Sequence, residues 1–282
     1  MEVAEGWKDY VLLDAGDGEK LEIWGNVKVI RPDPQAFWPK TYKWEKPDMH
    51  YHRSKSGGGS WEILRRDTPE AWKIHYHDMS FHIRPTGFKH MGLFPEQAVN
   101  WCWLQEKISS RKKPVRILNL FAYTGGATVA CMSAGADVTH IDAAKGMNQT
   151  ARDNIQLSGL SDMRHRVLTD DVLKFVRREE RRGSKYDGII MDPPVFGRGP
   201  GGEMWKLEEG LYELVKSCAQ LLSDTPLFML INTYAAGYSP TAYGNVMQLI
   251  NLPGIITVGE VCLSAKSGIT LPCGMYARWQ FR

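Results

Sequence analysis

The sequence predicts an α/β fold in which helices cover a mostly parallel sheet. From residue 115 onward, short apolar strands alternate with helix-forming stretches, a spacing typical of a parallel sheet that is buried on both faces. The last two strands, 255–264 and 274–281, follow each other without a helix between them, which predicts an antiparallel last strand. The first 85 residues are β-like and rich in turn residues instead. We therefore predict a small β-rich N-terminal module over 1–85 and an α/β domain over 86–282.

Hydrophobic periodicity gives the expected elements of both parts. In the N-terminal module we expect a hairpin from 10–13 and 21–30, then strands at 61–64 and 72–76. The segment 54–60, Ser-Lys-Ser-Gly-Gly-Gly-Ser, is expected to be a flexible loop, because no helix follows it to make a phosphate site. A helix-like run over 98–106 follows Pro95, which suits a first helical turn. The other strands of the α/β domain are expected at 115–121, 138–142, 165–169, 186–192 and 227–233, and its other helices at 126–134, 145–157, 171–182, 204–223 and 240–250.

Composition and charge exclude some classes of protein. The net charge of +3 is too small to indicate nucleic-acid binding by itself. The basic clusters at 107–113 and 177–185 fall at the sheet edge opposite a ligand crevice. We therefore expect these clusters to lie on a solvated back face and not in a substrate groove. The five cysteines show no C-x-x-C spacing and are typical of reduced thiols, so we expect a cytoplasmic protein. No apolar run approaches the roughly 18 residues of a membrane span, and residues 1–6 do not resemble a signal peptide.

A glycine turn after the strand at 115–120 indicates a cofactor site. Gly125 and Gly126 are followed by a helix-compatible run, so backbone N–H groups at the helix start would face a ligand with negative charge. A nicotinamide site needs G-x-G-x-x-G, but Tyr123 stands where a first glycine would be, which argues against a bound pyrophosphate. S-adenosylmethionine contains no phosphate and is therefore the favoured cofactor.

Asp142 supplies the next part of that site. It follows the second strand, sixteen residues after Gly126, where a carboxylate can accept both hydroxyls of a ribose. The alternative is an aspartate that only caps a helix after an ordinary strand–helix turn.

These residues, taken together, resemble a known family. The similar segments are Asn119–Gly126, the Asp142 strand, Ala151–Asn154, Thr169–Asp171 and Met191–Phe196. They resemble class I S-adenosylmethionine-dependent methyltransferases, which have a Rossmann-like sheet. More narrowly, they are similar to the bacterial large-subunit ribosomal RNA methyltransferases that modify cytosine C5 or guanine N7. The resemblance covers about 88–282 and implies S-adenosylmethionine as cofactor and RNA, ribosomal RNA in particular, as substrate.

The resemblance also implies roles for single residues. Asp142 would take the ribose hydroxyls, with Ala143 beside the adenine, and Asp171 would lie near the adenine amino group. Asp192 would close over the methionine part. Gln97 would lead into the pocket, although an ordinary helix start is an alternative. The glycine turn would line the methionine end through Phe121, Tyr123, Thr124, Gly125 and Gly126.

The chemistry departs from the cytosine C5 branch of this family. Methylation at C5 needs a cysteine thiolate, yet 231–237 reads Ile-Asn-Thr-Tyr-Ala-Ala-Gly where that branch has one. Cys273 is the one remaining candidate. We therefore expect direct displacement onto a nitrogen or oxygen, at a turn whose catalytic residues are Asp192, Pro193, Pro194 and Phe196. Phe196 would stack on a planar base, with core packing as its alternative role.

Some expectations are less specific. The possible crevice-facing residues are Lys89, His90, Arg198, Lys206, Asn232 and Tyr234. His50/His52 and His75/His77 have H-x-H spacing, but without a cysteine or an evident acidic partner we expect no metal. We expect no membrane partner, and the sequence leaves the oligomeric state open. The other possible functions are methyl transfer to a small molecule or protein side chain, and a non-catalytic cofactor-binding module.

Overall fold

The computed structural model describes residues 1–54 and 58–282. The expected flexible loop at 54–60 thus lies partly outside the described residues. The chain forms two compact units: an N-terminal unit of 2–99 with 261–273, and an α/β unit of 100–260 with 274–282. The boundary expected at 85/86 stays a prediction.

The N-terminal unit is built from short strands. Its strands are β1 (Glu2–Ala4), β2 (Tyr10–Gly16), β3 (Glu19–Trp24), β4 (Val27–Pro32), β5 (Met49–Arg53), β6 (Gly59–Ile63), β7 (Trp72–Tyr76) and β8 (Met79–Ile83). Strands β2 to β6 form a five-stranded sheet in chain order, and β7 pairs with β8. The hairpin of β2 and β3 confirms that prediction, with a turn at Asp17 and Gly18, both at positive φ.

One expectation in this unit is wrong. The single strand expected over 21–30 is two strands, β3 and β4, that pair antiparallel with each other. Gly25 between them has φ +64°, and its N–H donates to the carbonyl of Asp9. The left-handed conformation reverses the chain there, because glycine adopts it without steric cost.

The α/β unit contains the alternation that the sequence predicts. Helix α1 (Ala98–Ser109) leads into it across the unit boundary. The remaining elements are β9 (Arg116–Leu120), α2 (Gly126–Ser133), β10 (Asp137–Asp142), α3 (Lys145–Leu157), β11 (His165–Thr169), α4 (Val172–Arg181), β12 (Gly188–Met191), β13 (Phe196–Arg198), β14 (Met204–Lys206), α5 (Leu207–Gln220), β15 (Phe228–Thr233), α6 (Pro240–Leu249), β16 (Ile255–Ser264) and β17 (Thr270–Gln280).

The sheet of this unit confirms the predicted fold class. Its strand order is β16-β17-β15-β12-β9-β10-β11. Neighbours from β15 through β11 are parallel, whereas β17 is antiparallel to β15. Strands β16 and β17 continue beyond the unit boundaries, and in the N-terminal unit β1 pairs parallel with Val261–Leu263.

Helices pack against the sheet in two groups. Helix α2 contacts α3, while α5 contacts both α4 and α6. The second group buries a continuous core against the central strands, in which Phe175, Leu214 and Val215 pack on Leu118, Met191 and Met229. Burial of aliphatic and aromatic side chains of this size contributes roughly 1.5–3 kcal/mol each and fixes the sheet that carries the site.

The start of α5 differs from the prediction. The helix expected over 204–223 begins at Leu207, because 204–206 forms β14 and pairs antiparallel with β13. Met204 and Lys206 are exposed on this hairpin while Trp205 between them is buried, the alternation of a strand. No helix among residues 1–54 and 58–282 is long and apolar enough to cross a membrane.

Candidate active site

The candidate site lies at the carboxyl edge of the central strands. Strands β12, β9, β10 and β11 are parallel neighbours, so the loops that follow them meet at one edge. The chain enters the sheet at β9 and places β10 and β11 on one side and β12 on the other. The order therefore reverses between β9 and β12, and open α/β sheets bind ligands at such a switch point.

The backbone of the loop after β9 forms a tight turn that a ligand can approach closely. Phe121, Tyr123 and Gly125 have φ of 54°, 51° and 85°. A Cβ added to Gly125 would lie 3.0 Å from the Cβ of Ala151, so a side chain there would require a shift of the loop or of α3. Positive φ at the bulky Phe121 and Tyr123 is strained and typical of a ligand site.

A buried network of hydrogen-bonded polar side chains holds this loop in place. The Asn119 amide donates to the Thr128 hydroxyl at 3.0 Å, and that hydroxyl lies 2.9 Å from Nδ1 of His140. Burial lowers the pKa of His140 to about 3, so the imidazole is neutral. The Asn154 side chain donates to the carbonyl of Thr124, which is itself buried, at 2.9 Å. The loop conformation is thus held by side chains of β9, β10, α2 and α3.

Asp142 ends β10 beside this loop. Its Oδ2 accepts the backbone N–H of Tyr123 at 2.9 Å, and its Oδ1 accepts that of Ala144 at 2.8 Å. Burial raises the pKa of Asp142 although the two backbone donors favour the charged form. Helix α3 begins after Ala144, so Asp142 is not its N-cap residue. Each oxygen keeps a lone pair for another donor, and the half-buried Ala143 follows directly.

Asp171 has a structural role that sequence reasoning missed. It is the N-cap of α4, and its Oδ1 accepts the backbone N–H of Lys174 at 2.9 Å. The neighbouring Asp170 forms an ion pair with Arg178. A Cβ added to Gly199 would lie 2.8 Å from Oδ2 of Asp171, so the loop after β13 passes beside this carboxylate. Its proposed place near the adenine stays a prediction.

The Asp192-Pro193-Pro194 turn follows β12 on the other side of the switch point. The backbone N–H of Asp192 donates to the carbonyl of Leu120 at 3.3 Å, which ties the turn to the start of the cofactor loop. Trp205 holds its far end, since the indole N–H donates to the carbonyl of Pro194 at 2.7 Å. The same ring lies 5.0 Å from the ring of Phe121. Trp205 therefore connects the turn to the cofactor loop.

The hairpin also presents an aromatic surface. Phe196 on β13 is 52% exposed, so it does not pack in the core, and the alternative role considered for it is wrong. Arg198 is exposed at the end of the same strand. Lys206 is paired with Glu209 at 2.6 Å, and Lys174 is paired with Glu203. Stacking by Phe196 on a planar base stays a prediction.

Three of the five cysteines lie in environments that disfavour a nucleophile. Burial raises the pKa of the Cys131 and Cys218 thiols, so both stay protonated. Burial, with the nearby charge of Glu96, raises the pKa of Cys273 well above its usual range. The thiol of Cys273 donates to the carbonyl of Leu271 at 3.4 Å. A catalytic cysteine needs a thiolate, and these environments disfavour it.

Two other expected site residues end β15 or follow it. Asn232 is 2% exposed and accepts a bond of 3.3 Å from Asn100, whose Oδ1 in turn accepts from Arg278 at 2.8 Å. A buried hydrogen-bond network therefore holds the side-chain oxygen of Asn232, and a place for this residue at the substrate stays a prediction. Tyr234 is partly exposed.

Gln97, Lys89 and His90 belong to the N-terminal unit. Gln97 is half-buried and ends the 3-10 turn Pro95–Gln97, which leads into α1. Burial lowers the pKa of Lys89 to about 8 and that of His90 to about 4. The ammonium of Lys89 donates to the carbonyl of Pro32 at 3.2 Å. A place for these residues at the cofactor or the substrate stays a prediction.

The α/β unit therefore presents a strained loop with backbone donors, an oriented carboxylate on the adjacent strand, and a second acid across the switch point. This set fits a nucleoside with an amino-acid tail. The Asp142 oxygens would hold two vicinal hydroxyls, and the loop would hold the tail. S-adenosylmethionine, when bound, supplies an electrophilic methyl group on a sulfonium.

Comparison with known proteins identifies the family. The family model of the S-adenosylmethionine-dependent methyltransferases matches residues 47–238. A solved S-adenosylmethionine-dependent methyltransferase from Agrobacterium tumefaciens is 34% identical with a TM-score of 0.95, over 99% of this chain and 93% of that one.

Curated relatives match over shorter segments. A ribosomal RNA large subunit methyltransferase K/L from Chromohalobacter salexigens is 31% identical over 187 residues, which is 66% of this chain and 22% of the relative. A ribosomal RNA large subunit methyltransferase I from Klebsiella pneumoniae is 40% identical over 82 residues, 29% of this chain and 20% of the relative. The chain thus spans only about a fifth of the length of these two relatives.

The fold and the site define a nucleoside-binding protein with the Rossmann-like sheet of the class I methyltransferases. The chain belongs to the S-adenosylmethionine-dependent methyltransferases, and S-adenosylmethionine is the cofactor of that family.

Proposed function

We propose that this chain transfers a methyl group from S-adenosylmethionine to a nitrogen of a base in RNA, and that the RNA is ribosomal. The observation that carries the proposal is the position of the Asp192 turn, which is bonded to the end of β9 where the cofactor loop begins. An acceptor held at this turn would lie beside the methionine end of the cofactor.

The residues of the turn suit a nitrogen acceptor. The Asp192 carboxylate and the Pro193 carbonyl are acceptors for an N–H, and they would orient the nitrogen lone pair toward the methyl group. The N–CH3 bond forms as the S–CH3 bond breaks, the sulfur keeps that bond's electron pair, and the nitrogen releases its proton to solvent. Alignment of donor and acceptor supplies up to roughly 7–11 kcal/mol of such a barrier.

Direct displacement agrees with the state of the thiols. Covalent activation of a cytosine ring needs a thiolate within reach of the base. Among the described residues, Cys131 and Cys218 are fully buried and Cys273 is half-buried with a raised pKa. These three side chains therefore favour a mechanism without a cysteine nucleophile, and the exposed Cys102 lies on α1 rather than on the Asp192 turn.

The choice of RNA rests on the relatives and on the exposed surface of the hairpin. The curated relatives named above carry ribosomal RNA in their names. Phe196 offers a face on which a planar base could stack, and Arg198 two residues later could contact a phosphate. Stacking on an exposed aromatic ring is worth roughly 1–3 kcal/mol per base.

Nucleoside mass spectrometry of ribosomal RNA tests the proposal. RNA from a strain that lacks this gene should have lost one methylated nucleoside, and a plasmid-borne wild-type gene should restore it. Asp192→Ala should fail to restore the nucleoside. Asp224→Ala should restore it, because Asp224 is an exposed acid before β15, at the opposite edge of the sheet. An unchanged nucleoside profile in the deletion strain would exclude ribosomal RNA as the acceptor.

A second candidate is methyl transfer to a small molecule or a protein side chain. The pairing of Lys174 with Glu203 and of Lys206 with Glu209 favours it, because the charges of these two lysines beside the hairpin are each balanced by a carboxylate. Binding to RNA phosphates weakens steeply as the salt concentration rises. For single strands, the logarithm of the binding constant falls with the logarithm of the salt concentration, with a slope near −0.7 per phosphate contact. A rate of methyl transfer that does not change with salt concentration would support a small molecule or a protein side chain as the acceptor.

A further inference from the structure

We propose that His50, His52 and Glu62 bind a divalent transition-metal ion, with zinc as the best match, on the sheet of the N-terminal unit. The expectation of no metal in this module rested partly on a missing acidic partner. The structure supplies that partner from the neighbouring strand.

Strand pairing brings the three side chains together. His50 and His52 are two residues apart on β5 and therefore share a face of the sheet. Glu62 on β6 pairs directly with His50 in the antiparallel register. One ligand atom from each of the three residues lies within 4.8 Å of the others, and Nε2 of His52 is 2.8 Å from Oε2 of Glu62. The two imidazole rings are 4.1 Å apart.

A further carboxylate orients one of these ligands. Nε2 of His50 lies 2.7 Å from Oε1 of Glu19, whose other oxygen is paired with Lys40 at 2.8 Å. If the charged Glu19 accepts the Nε2–H of His50, the lone pair of that ring is on Nδ1, which is then available to an ion. Metal-binding histidines commonly donate their second ring nitrogen to a carboxylate in this way.

The donor set selects the kind of ion. Two imidazoles and one carboxylate suit zinc and similar divalent transition metals, whereas magnesium and calcium prefer oxygen ligands alone. The His52 and Glu62 side chains are 50% and 53% exposed, so water can reach a fourth position. Three protein ligands with an open position describe an exchangeable site rather than a closed structural one.

Calorimetric titration of the untagged full chain with zinc chloride tests the site. Wild type should bind one equivalent that His52→Ala and Glu62→Gln each weaken at least about tenfold. The matched control is His75→Ala. His75 is also exposed, at 49%, and also bonded to an aspartate, Asp9 at 2.9 Å, but it is not part of the cluster. This variant should bind zinc as wild type does.

Cobalt substitution separates this site from the thiols of the chain. The five free cysteines are the competing ligands, and a cobalt–thiolate bond gives a charge-transfer absorption that imidazole and carboxylate do not. Cobalt bound to wild type should show d–d bands without that absorption. Thiolate absorption, equal zinc affinity in His52→Ala and wild type, or no binding at all would each overturn the proposal. None of these readouts depends on methyl transfer.

Discussion

Asp142 shows how one residue prepares a ligand site before the ligand binds. Its two oxygens each accept a backbone N–H, from Tyr123 and from Ala144, so the carboxylate has one orientation. Burial of the carboxylate makes its remaining lone pairs stronger acceptors for a ribose hydroxyl than they would be in water.

We expect Asp142→Ala to weaken S-adenosylmethionine binding by at least about 100-fold, because two charge-assisted bonds of roughly 1.5–3 kcal/mol each are lost. Isothermal titration calorimetry measures the change. Asp137→Ala is the matched control, since Asp137 begins the same strand at the opposite edge and makes one ion pair of 3.7 Å with the exposed Arg164. An unchanged dissociation constant in Asp142→Ala would refute the cofactor site.

Cys273 provides a second test at this scale. Its thiol is half-buried and its pKa is raised, so its removal should not affect the reaction. We expect Cys273→Ser to keep kcat/KM within about twofold of wild type, because direct displacement needs no nucleophilic thiol. A protein–RNA adduct that survives a denaturing gel in wild type and is absent in Cys273→Ser would contradict direct displacement.

At the scale of elements, regular strands and helices were predictable from local pattern. Strand β11 and helix α3 have the bounds that the periodicity predicts, and α2, α4 and α6 differ by one residue at most at either end. Helices α4 and α6 bury one face against the continuous core, and such a face gives a clear hydrophobic period. The glycine turn after β9, Asp142 at the end of β10 and Asp192 after β12 were predictable because they lie where regular elements end.

Features that depend on pairing between distant residues were not predictable. The three-residue strands β13 and β14 are too short to show a period, and this placed Trp205 in a helix. The contact of Trp205 with Phe121 joins residues that are far apart in the chain. Likewise Glu62 meets His50 only through the register of β5 and β6, and Asn232 is buried through Asn100 and Arg278. The feature that marks Trp205 as a strand residue is the exposed–buried–exposed order of residues 204–206. This order is visible in the structure but not in the sequence alone.

The cofactor loop allows a test of how packing and backbone strain combine. Gly125→Ala should destabilise the chain by more than Gly135→Ala, although both glycines have positive φ, 85° and 93°. Alanine in the left-handed region costs roughly 1–2 kcal/mol at either site. At Gly125 alone the new Cβ would also meet Ala151 at 3.0 Å, whereas at Gly135 it would meet nothing within 4 Å.

Urea unfolding with S-adenosylmethionine calorimetry measures both effects of these substitutions. Gly125→Ala should lose cofactor affinity as well as stability, and Gly135→Ala should lose only stability. Equal losses of free energy of unfolding in the two variants would show that the loop is not packed on α3 as described.

For the molecule as a whole, buried charged groups stabilise the fold, whereas the small net charge produces only a weak electrostatic field outside the protein. The net charge is +3, and the N-terminal unit keeps several charged groups inside. Glu22 is fully buried and bonded to Arg31 at 2.6 Å, to the Tyr10 hydroxyl at 2.8 Å and more distantly to Lys20. A buried carboxylate with such partners must become protonated before acid can unfold the unit around it.

This network makes stability depend on pH in a defined window. Burial by itself would raise the pKa of Glu22, but the charges of Arg31 and Lys20 lower it from 4.5 to about 2. A carboxyl whose pKa is lower in the folded state stabilises the fold above its unfolded pKa, and this contribution is lost as pH falls from about 4.5 toward 2. The shift corresponds to roughly 3 kcal/mol.

We expect wild type to lose this free energy of unfolding between about pH 5 and pH 2 in urea titrations, and Glu22→Gln not to show that part of the loss. At pH 7 the variant should be less stable by roughly 3–5 kcal/mol, because the buried Arg31 charge loses its partner. Glu45→Gln is the control: Glu45 is an exposed acid paired with Lys28 at 2.9 Å, so its variant should follow the wild-type profile. If Glu22→Gln lost stability with falling pH as steeply as wild type does, groups other than Glu22 would have to carry the acid sensitivity of the chain.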